Sequence, residues 1–169
     1  LVRGSGKGGG EGVEREASPE LFTRAMNNLG MLGEAAALAN EVDLAGCRTM
    51  VDVGCGSGLY SITLCRHYPE LKAILLDREE VLAITDRFIK KSSLQNRMSI
   101  RAADILKDPF GIDVDVVLLS DVLYQDKSTC IQILKSAYDA LASDGLLIIR
   151  GYLTDPKGSQ PLFGSLFAL

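Results

Sequence analysis

The sequence predicts an α/β fold, a doubly wound and mostly parallel sheet with helices on both faces. Three observations carry that expectation. From Arg48 onward, apolar β-type runs alternate with helical segments. The runs are near-continuous Val, Ile and Leu rather than alternating apolar and polar, as strands covered on both faces require. The first run passes directly into Gly54-x-Gly56-x-Gly58 and then a helical segment, so a tight turn joins strand to helix. With 169 residues, 47% of them hydrophobic and 24% charged, the chain suits one domain with a real core.

Residues 1–17 begin Leu-Val-Arg-Gly-Ser-Gly-Lys-Gly-Gly-Gly-Glu-Gly, which cannot bury a core and reads as a flexible linker or a leftover of cloning. The domain is expected over residues 18–169. Ser18-Pro19-Glu20 is a helix start: cap, first-turn proline and acidic first turn. Phe22, Met26 and Leu29 follow at helical spacing, predicting a long helix to about Val42, with Gly30 and Gly33 admitting a break into two. Strands are expected at Thr49–Val53, Lys72–Leu76, Met98–Ala102, Val114–Ser120 and Leu146–Tyr152. Helices are expected at Leu59–His67, Glu79–Lys91 and Lys127–Ala142.

A formal charge of -4 and no basic block longer than Lys90-Lys91 argue against a nucleic-acid or anionic-membrane footprint, and favour a small neutral or cationic partner. Apolar runs such as Val116–Leu119 fall far below the about 18 residues of a membrane-spanning helix. The chain therefore reads as soluble. Four cysteines with no C-x-x-C pair, beside a single histidine, support neither a metal site nor a disulfide framework and suit a reducing cytoplasm.

The glycine turn carries most of the chemistry. Glycines leave no Cβ between backbone and ligand, and amides at the start of the following helix are expected as free donors, together a nucleotide cradle. A plain strand-to-helix turn is the competing reading. A dinucleotide fingerprint needs a glycine where this chain has Leu59. Acidic residues at the following strand ends favour an adenosine instead. Asp77 can accept from both ribose hydroxyls, and Asp104 with Ile105 can receive an adenine amino group and ring face. An aspartate after a strand also serves as a turn former. The fourth strand delivers Ser120, Asp121 and Tyr124 to the same end of the sheet.

Several segments in order then resemble the class I S-adenosylmethionine-dependent methyltransferases with their Rossmann-like fold, specifically the small-molecule O-methyltransferases acting on hydroxyindoles, caffeate and polyketides. They are Val51–Gly58, His67-Tyr68-Pro69, Leu76-Asp77, Ala103–Ile105, Leu118–Tyr124, Cys130–Leu134 and Gly145–Ile149. The resemblance implies S-adenosylmethionine as cofactor, held by Asp52, Gly54, Cys55, Gly56, Asp77, Arg78, Asp104, Ile105 and Ser120, with no metal. It implies methyl transfer to a small-molecule acceptor, a hydroxyl oxygen by default. Phe22 and Met26 would help close the site, although their stripe reads equally as core.

The departures are specific. Family members place a histidine base after the fourth strand, where this chain has Tyr124; phenols as a class ionise near about pH 10, so an orienting role suits it better than a base. His67 has a structural place in the family pattern. The family's N-terminal dimerisation domain and C-terminal antiparallel hairpin are not visible, so the chain is expected to be incomplete at its C-terminus, with Gln160–Leu169 beginning a later helix. A homodimer is expected of the full-length parent. The alternative function is a non-catalytic cofactor-binding module or inactive fragment.

Overall fold

The computed structural model describes residues 18–151. The expectations for residues 1–17, Tyr152 and Gln160–Leu169 lie outside the described residues. The elements run α1 Pro19–Gly30, α2 Glu34–Glu41, β1 Thr49–Val53, α3 Leu59–His67, β2 Lys72–Asp77, α4 Glu79–Ser92, β3 Met98–Ala102, β4 Val114–Ser120, α5 Lys127–Ala140 and β5 Leu141–Arg150. The five strands form one sheet in the order β3-β2-β1-β4-β5, parallel at every pairing, so the predicted α/β class holds.

The leading helical stretch divides in two. Ser18 accepts from the Leu21 N–H at 3.3 Å and Pro19 opens the first turn, as its sequence implies. At Gly33, φ of 122° turns the chain where a side chain would be strained, and α2 restarts at Glu34. The face that α1 buries is Thr23, Asn27 and Gly30, whereas Phe22 is 62% exposed.

Both faces of the sheet carry a core. Met50, Leu75, Val116, Leu118 and Ile148 lie in one cluster with Ala39, Leu64 and Ile89 from α2, α3 and α4. On the opposite face Val51, Val53, Val117 and Leu119 pack with Phe110 and with Ile133 and Ala137 of α5. This double burial is why the strands read as continuous apolar runs.

One boundary differs from expectation. Helix α5 ends at Ala140, and β5 begins at Leu141 instead of Leu146. Leu141 pairs with Val114 while Leu146 pairs with Val116, so residues 142–145 bulge from the ladder. The polar Ser143-Asp144-Gly145 stretch, which reads as a turn, lies within that irregularity.

At this same end of the sheet, the Asp115 carboxylate accepts from the Arg48 and Thr49 N–H groups at 2.8 Å each and from the Thr49 hydroxyl at 3.0 Å, joining β4 to the start of β1. The Arg48 and Thr49 amides hold this carboxyl below its ordinary range. Its contribution is therefore present above the unfolded aspartate value of about 3.9 and lost as the pH falls through the lower folded value. Asp115→Ala should cost about 1–2 kcal/mol at pH 7, discounted for its contact with solvent, and progressively less under acid. Urea titrations at pH 7 and pH 3 check this; an equal cost at both would refute the charge-assisted tie.

Candidate functional site

The carboxyl ends of all five strands open into a cleft of about 900 Å³, closed on one side by α1. Every residue singled out as a site candidate lines it: Asp52, Gly54, Cys55 and Gly56 from β1 and its turn, Asp77 and Arg78 after β2, Asp104 and Ile105 after β3, Ser120 and Tyr124 after β4. Phe22 and Met26 line it as well, so their stripe faces the cleft instead of filling the core. The volume is near the top of the range of about 300–1,000 Å³ for ligand pockets, enough for a nucleoside-sized molecule with room beside it.

The glycine turn is braced from β2. Gly54 and Cys55 both donate their N–H to the Leu76 carbonyl, at 2.8 and 3.1 Å, and Gly56 donates to Asp77 Oδ2 at 2.9 Å. Gly58 donates back to the Cys55 carbonyl at 2.8 Å. These four amides precede α3, whose first-turn amides are the donors expected from the sequence. The four are spent inside the protein, because the turn folds over the end of β2 before the helix begins. A phosphate cradle needs those donors pointing outward, so the turn is ill suited to a pyrophosphate and better suited to an uncharged ribose face. At Gly56, φ is 54° and a Cβ would meet nothing within 4 Å, leaving open space above the turn.

Asp77 is half-buried and accepts from two backbone amides, Gly56 and Arg78, the latter at 2.8 Å. Burial raises its carboxyl above the ordinary aspartate value, opposed by those two N–H bonds. Each bonded oxygen has a further lone pair, so the group is aimed and still able to accept. Arg78, beside it, pairs with Glu80 at 3.2 Å.

Asp104 is a turn former. Its Oδ1 accepts from the Leu106 N–H at 3.0 Å and its Oδ2 from Lys107 Nζ at 2.7 Å, and the Lys107 bond holds its carboxyl below the usual range. That occupies part of the acceptor capacity the adenine reading assigns to it, while Ile105 stands beside it, half-buried, on the cleft wall.

Beneath the turn lies Asp52, 2% exposed, accepting from the Ser61 hydroxyl at 2.6 Å and so pinning α3 to β1. Thr85 of α4 supports the turn from the side, donating to the Gly56 carbonyl at 2.6 Å. Cys55 lies 3.9 Å from that Thr85 hydroxyl, and burial pushes its thiol well above the ordinary cysteine value, leaving it a packing group.

At the other end of the cleft is a cluster that sequence reasoning missed. Arg150, ending β5, donates to the carboxylates of Asp121 and Glu34, and its guanidinium lies 5.3 Å from the centroid of the Tyr60 ring. Tyr60 in turn donates to Glu34 at 3.2 Å. Asp121 is held at φ 55°, with its own N–H on the Arg150 carbonyl at 2.8 Å. Thr23 and Asn27, buried polar residues of α1, also face the cleft. No sequence signal joins positions 34, 60, 121 and 150; only an arginine closing an apolar strand is unusual enough to have been noticed. Tyr124 is 77% exposed at the cleft mouth, and His67 lies at the far end of α3 against Tyr68. Among the described residues no group of acidic, histidine or cysteine side chains is arranged to hold a metal, and no helix is long and apolar enough to cross a membrane.

The sequence profile of the O-methyltransferase domain family matches residues 10–169, and the chain belongs to that family. It is 36% identical over 152 residues to a 3-hydroxy-5-methyl-1-naphthoate 3-O-methyltransferase of Streptomyces sahachiroi, covering 89% of this chain and 44% of that protein. A bacteriochlorophyllide d C-20 methyltransferase of Chlorobaculum tepidum is 32% identical over 122 residues, 71% of this chain and 36% of that protein. Among solved structures, the S-adenosylmethionine-dependent methyltransferase SibL superposes with a TM-score of 0.77 at 28% identity, over 88% of this chain and 43% of that one. The chain thus spans less than half the length of these relatives.

Burial pushes the Asp52 carboxyl up to about 7, with the Ser61 bond opposing and Asp77 adding to the rise. The fold favours its protonated form, so the stability this group carries is full below pH about 4 and is lost as the pH rises through about 7. Between pH 4.5 and 8 the wild type should lose about 2–4 kcal/mol more than an Asp52→Asn variant, read by urea titration. Parallel pH profiles for the two would rule out a buried, neutral carboxyl.

Proposed function

We propose that the protein containing this O-methyltransferase domain moves a methyl group from S-adenosylmethionine to a small-molecule acceptor, by default a hydroxyl oxygen. The observation that carries the reading is the convergence, in one cleft, of a glycine turn with its donors spent and an aspartate aimed by two amides. Such a site supplies acceptors more than donors. That suits a cofactor with ribose hydroxyls, an ammonium and a sulfonium, and no phosphate. When bound, S-adenosylmethionine supplies an electrophilic methyl group on a positively charged sulfur.

In this reading Asp77 receives both ribose hydroxyls, its carboxylate already oriented by Gly56 and Arg78. Gly54, Cys55 and Gly56 pass beneath the ribose and methionine portions, with Asp52 holding the turn's foundation. Arg78, Asp104 and Ile105 enclose the adenine, and Ser120 meets the methionine end. Tyr124 orients the acceptor through its hydroxyl. The chain's residues thus contribute position and charge, the two largest resources available to a transfer of this kind.

Carbon is the second acceptor class worth testing. Tyr124 stands where an imidazole base is expected, and one relative is named as a C-20 methyltransferase. A reducing cytoplasm and a homodimer are the setting we infer for the full-length protein.

Calorimetry with S-adenosylmethionine, S-adenosylhomocysteine and NAD tests the cofactor class, with binding of the first two and not the third expected. Asp77→Ala should weaken S-adenosylmethionine binding ten- to a hundred-fold, about 1.5–3 kcal/mol; unchanged affinity would remove the ribose role. Labelled methyl transfer by the full-length protein to matched phenol and carbon acceptors tests the reaction. There Tyr124→Phe should lower kcat/KM roughly three- to tenfold without altering cofactor affinity, and full retention of activity would leave the hydroxyl with no part in orientation.

A further inference from the structure

The cofactor reading leaves one charge without an answer. S-adenosylmethionine carries a carboxylate on its methionine end, where Ser120 is the sole side chain assigned. The four turn amides are spent, and both arginines of the cleft are paired with carboxylates, Arg78 with Glu80 and Arg150 with Asp121 and Glu34. Donors for that carboxylate have to come from another part of the wall.

Three buried, uncharged side chains of the cleft lining meet the need. Thr23 and Asn27 of α1 are 4% and 7% exposed, and Ser57 of the glycine turn is 7% exposed. Among the described residues the hydroxyls of Thr23 and Ser57 make no hydrogen bond, and the Asn27 carboxamide has only the Met31 sulfur, a weak acceptor, at 3.3 Å. Yet no polar side-chain atom sealed from solvent lacks a partner among those residues. The three groups therefore keep a path to the open space they line, which is the cleft. Buried hydroxyls without partners are costly in a plain core, so their place here calls for a ligand.

The three also stand together. Glu20, at the start of α1, reaches Arg87 of α4 at 3.3 Å, and Gly30, at its end, lies so close to Leu59 that a Cβ would come within 2.7 Å of that side chain. Helix α1 thus crosses from α4 to the first residue of α3. Thr23, Asn27 and Gly30 share its buried stripe, so Asn27 lies about one turn, roughly 5 Å along the axis, from Gly30, and Thr23 one turn further. Ser57 is two residues before Leu59 in the chain. The first turn of α3 holds no acidic side chain, so its amides and dipole are open to an anion.

Resting on the methyltransferase reading, we propose that Thr23, Asn27 and Ser57, gathered at the start of α3, form the subsite for the carboxylate of the cofactor's methionine end. The two hydroxyls and the Asn27 amide donate to its oxygens. An ammonium suits this place less well, because it would meet the positive end of the helix dipole. Uncharged donors also hold the carboxylate without setting a second cation near the sulfonium. Helix α1 thereby becomes part of the cofactor site as well as its cover.

The test is calorimetry on the full-length protein with S-adenosylmethionine, its decarboxylated form, which keeps the ammonium and the sulfonium, and methylthioadenosine, which lacks the whole amino-acid end. The wild type should bind the decarboxylated form roughly ten- to a hundredfold more weakly than S-adenosylmethionine. Thr23→Val, Asn27→Leu and Ser57→Ala should each weaken S-adenosylmethionine binding roughly three- to tenfold while the Kd of the decarboxylated form moves less than about twofold. Thr23→Ser keeps the hydroxyl and should keep wild-type affinity. Variants weakened for both ligands alike overturn the proposal, since the side chains would then serve only the fold, and variants with unchanged S-adenosylmethionine affinity overturn it as well. Equal affinity of the wild type for S-adenosylmethionine and its decarboxylated form removes the subsite and leaves the cofactor reading standing. Failure of all three ligands to bind the wild type sinks the cofactor reading itself, and the subsite with it.

Discussion

Three hydrogen bonds reach from the β1–α3 turn to the end of β2: Gly54 and Cys55 to the Leu76 carbonyl, and Gly56 to the Asp77 carboxylate. They fix the turn and the aspartate as one unit, so neither can be displaced without leaving buried polar groups unpaired. They also decide the chemical character of the cleft. A turn that directs its amides inward offers little to a phosphate. An aspartate whose carboxylate is aimed from behind presents its open lone pairs forward. The floor is thereby biased toward accepting hydrogen bonds and toward positive charge.

Below that unit a second layer transmits its position to the helices. The Asp52–Ser61 bond ties β1 to α3, and the Thr85 hydroxyl reaches from α4 to the Gly56 carbonyl at 2.6 Å. The β2 side of the cleft thus rests on short, mostly neutral hydrogen bonds within a buried frame. The β5 side rests instead on ionic contacts among Glu34, Asp121 and Arg150. The two sides answer differently to their surroundings: hydrogen bonds within a core are little screened by salt, while partly exposed charges are sensitive to it and to the sign of any visitor.

How far the sequence revealed this follows from the range of each interaction. The turn, Asp77, Asp104 and Ile105 were legible because each sits at a strand end, where local pattern alone places it at the cleft. The sheet was legible from its continuous apolar runs. Arg150 and its partners were not, since positions 34, 60, 121 and 150 meet only after the strands are ordered, and sheet order is not written in any one segment. The direction of the turn's own amides was not legible for a related reason: glycine spacing predicts a tight turn but not which carbonyl it folds toward. The early start of β5 escaped because Ser143-Asp144-Gly145 has turn chemistry yet lies within a bulge of the ladder.

The absence of an imidazole from the cleft floor then acquires a physical meaning. The chain's one histidine closes α3, about 12 Å along the helix from the glycine turn at 1.5 Å per residue. The nearby carboxylates are committed: Asp52 to Ser61, Asp77 to two amides, Asp104 to Lys107 and Asp121 to Arg150. Each of these contacts fixes where its carboxylate points, although burial still raises Asp52 and Asp77 above the ordinary aspartate value. What these residues supply is therefore geometry and electrostatic complementarity. Effective molarities of about 10⁵–10⁸ M show that geometry alone lowers a barrier substantially when the electrophile is already activated.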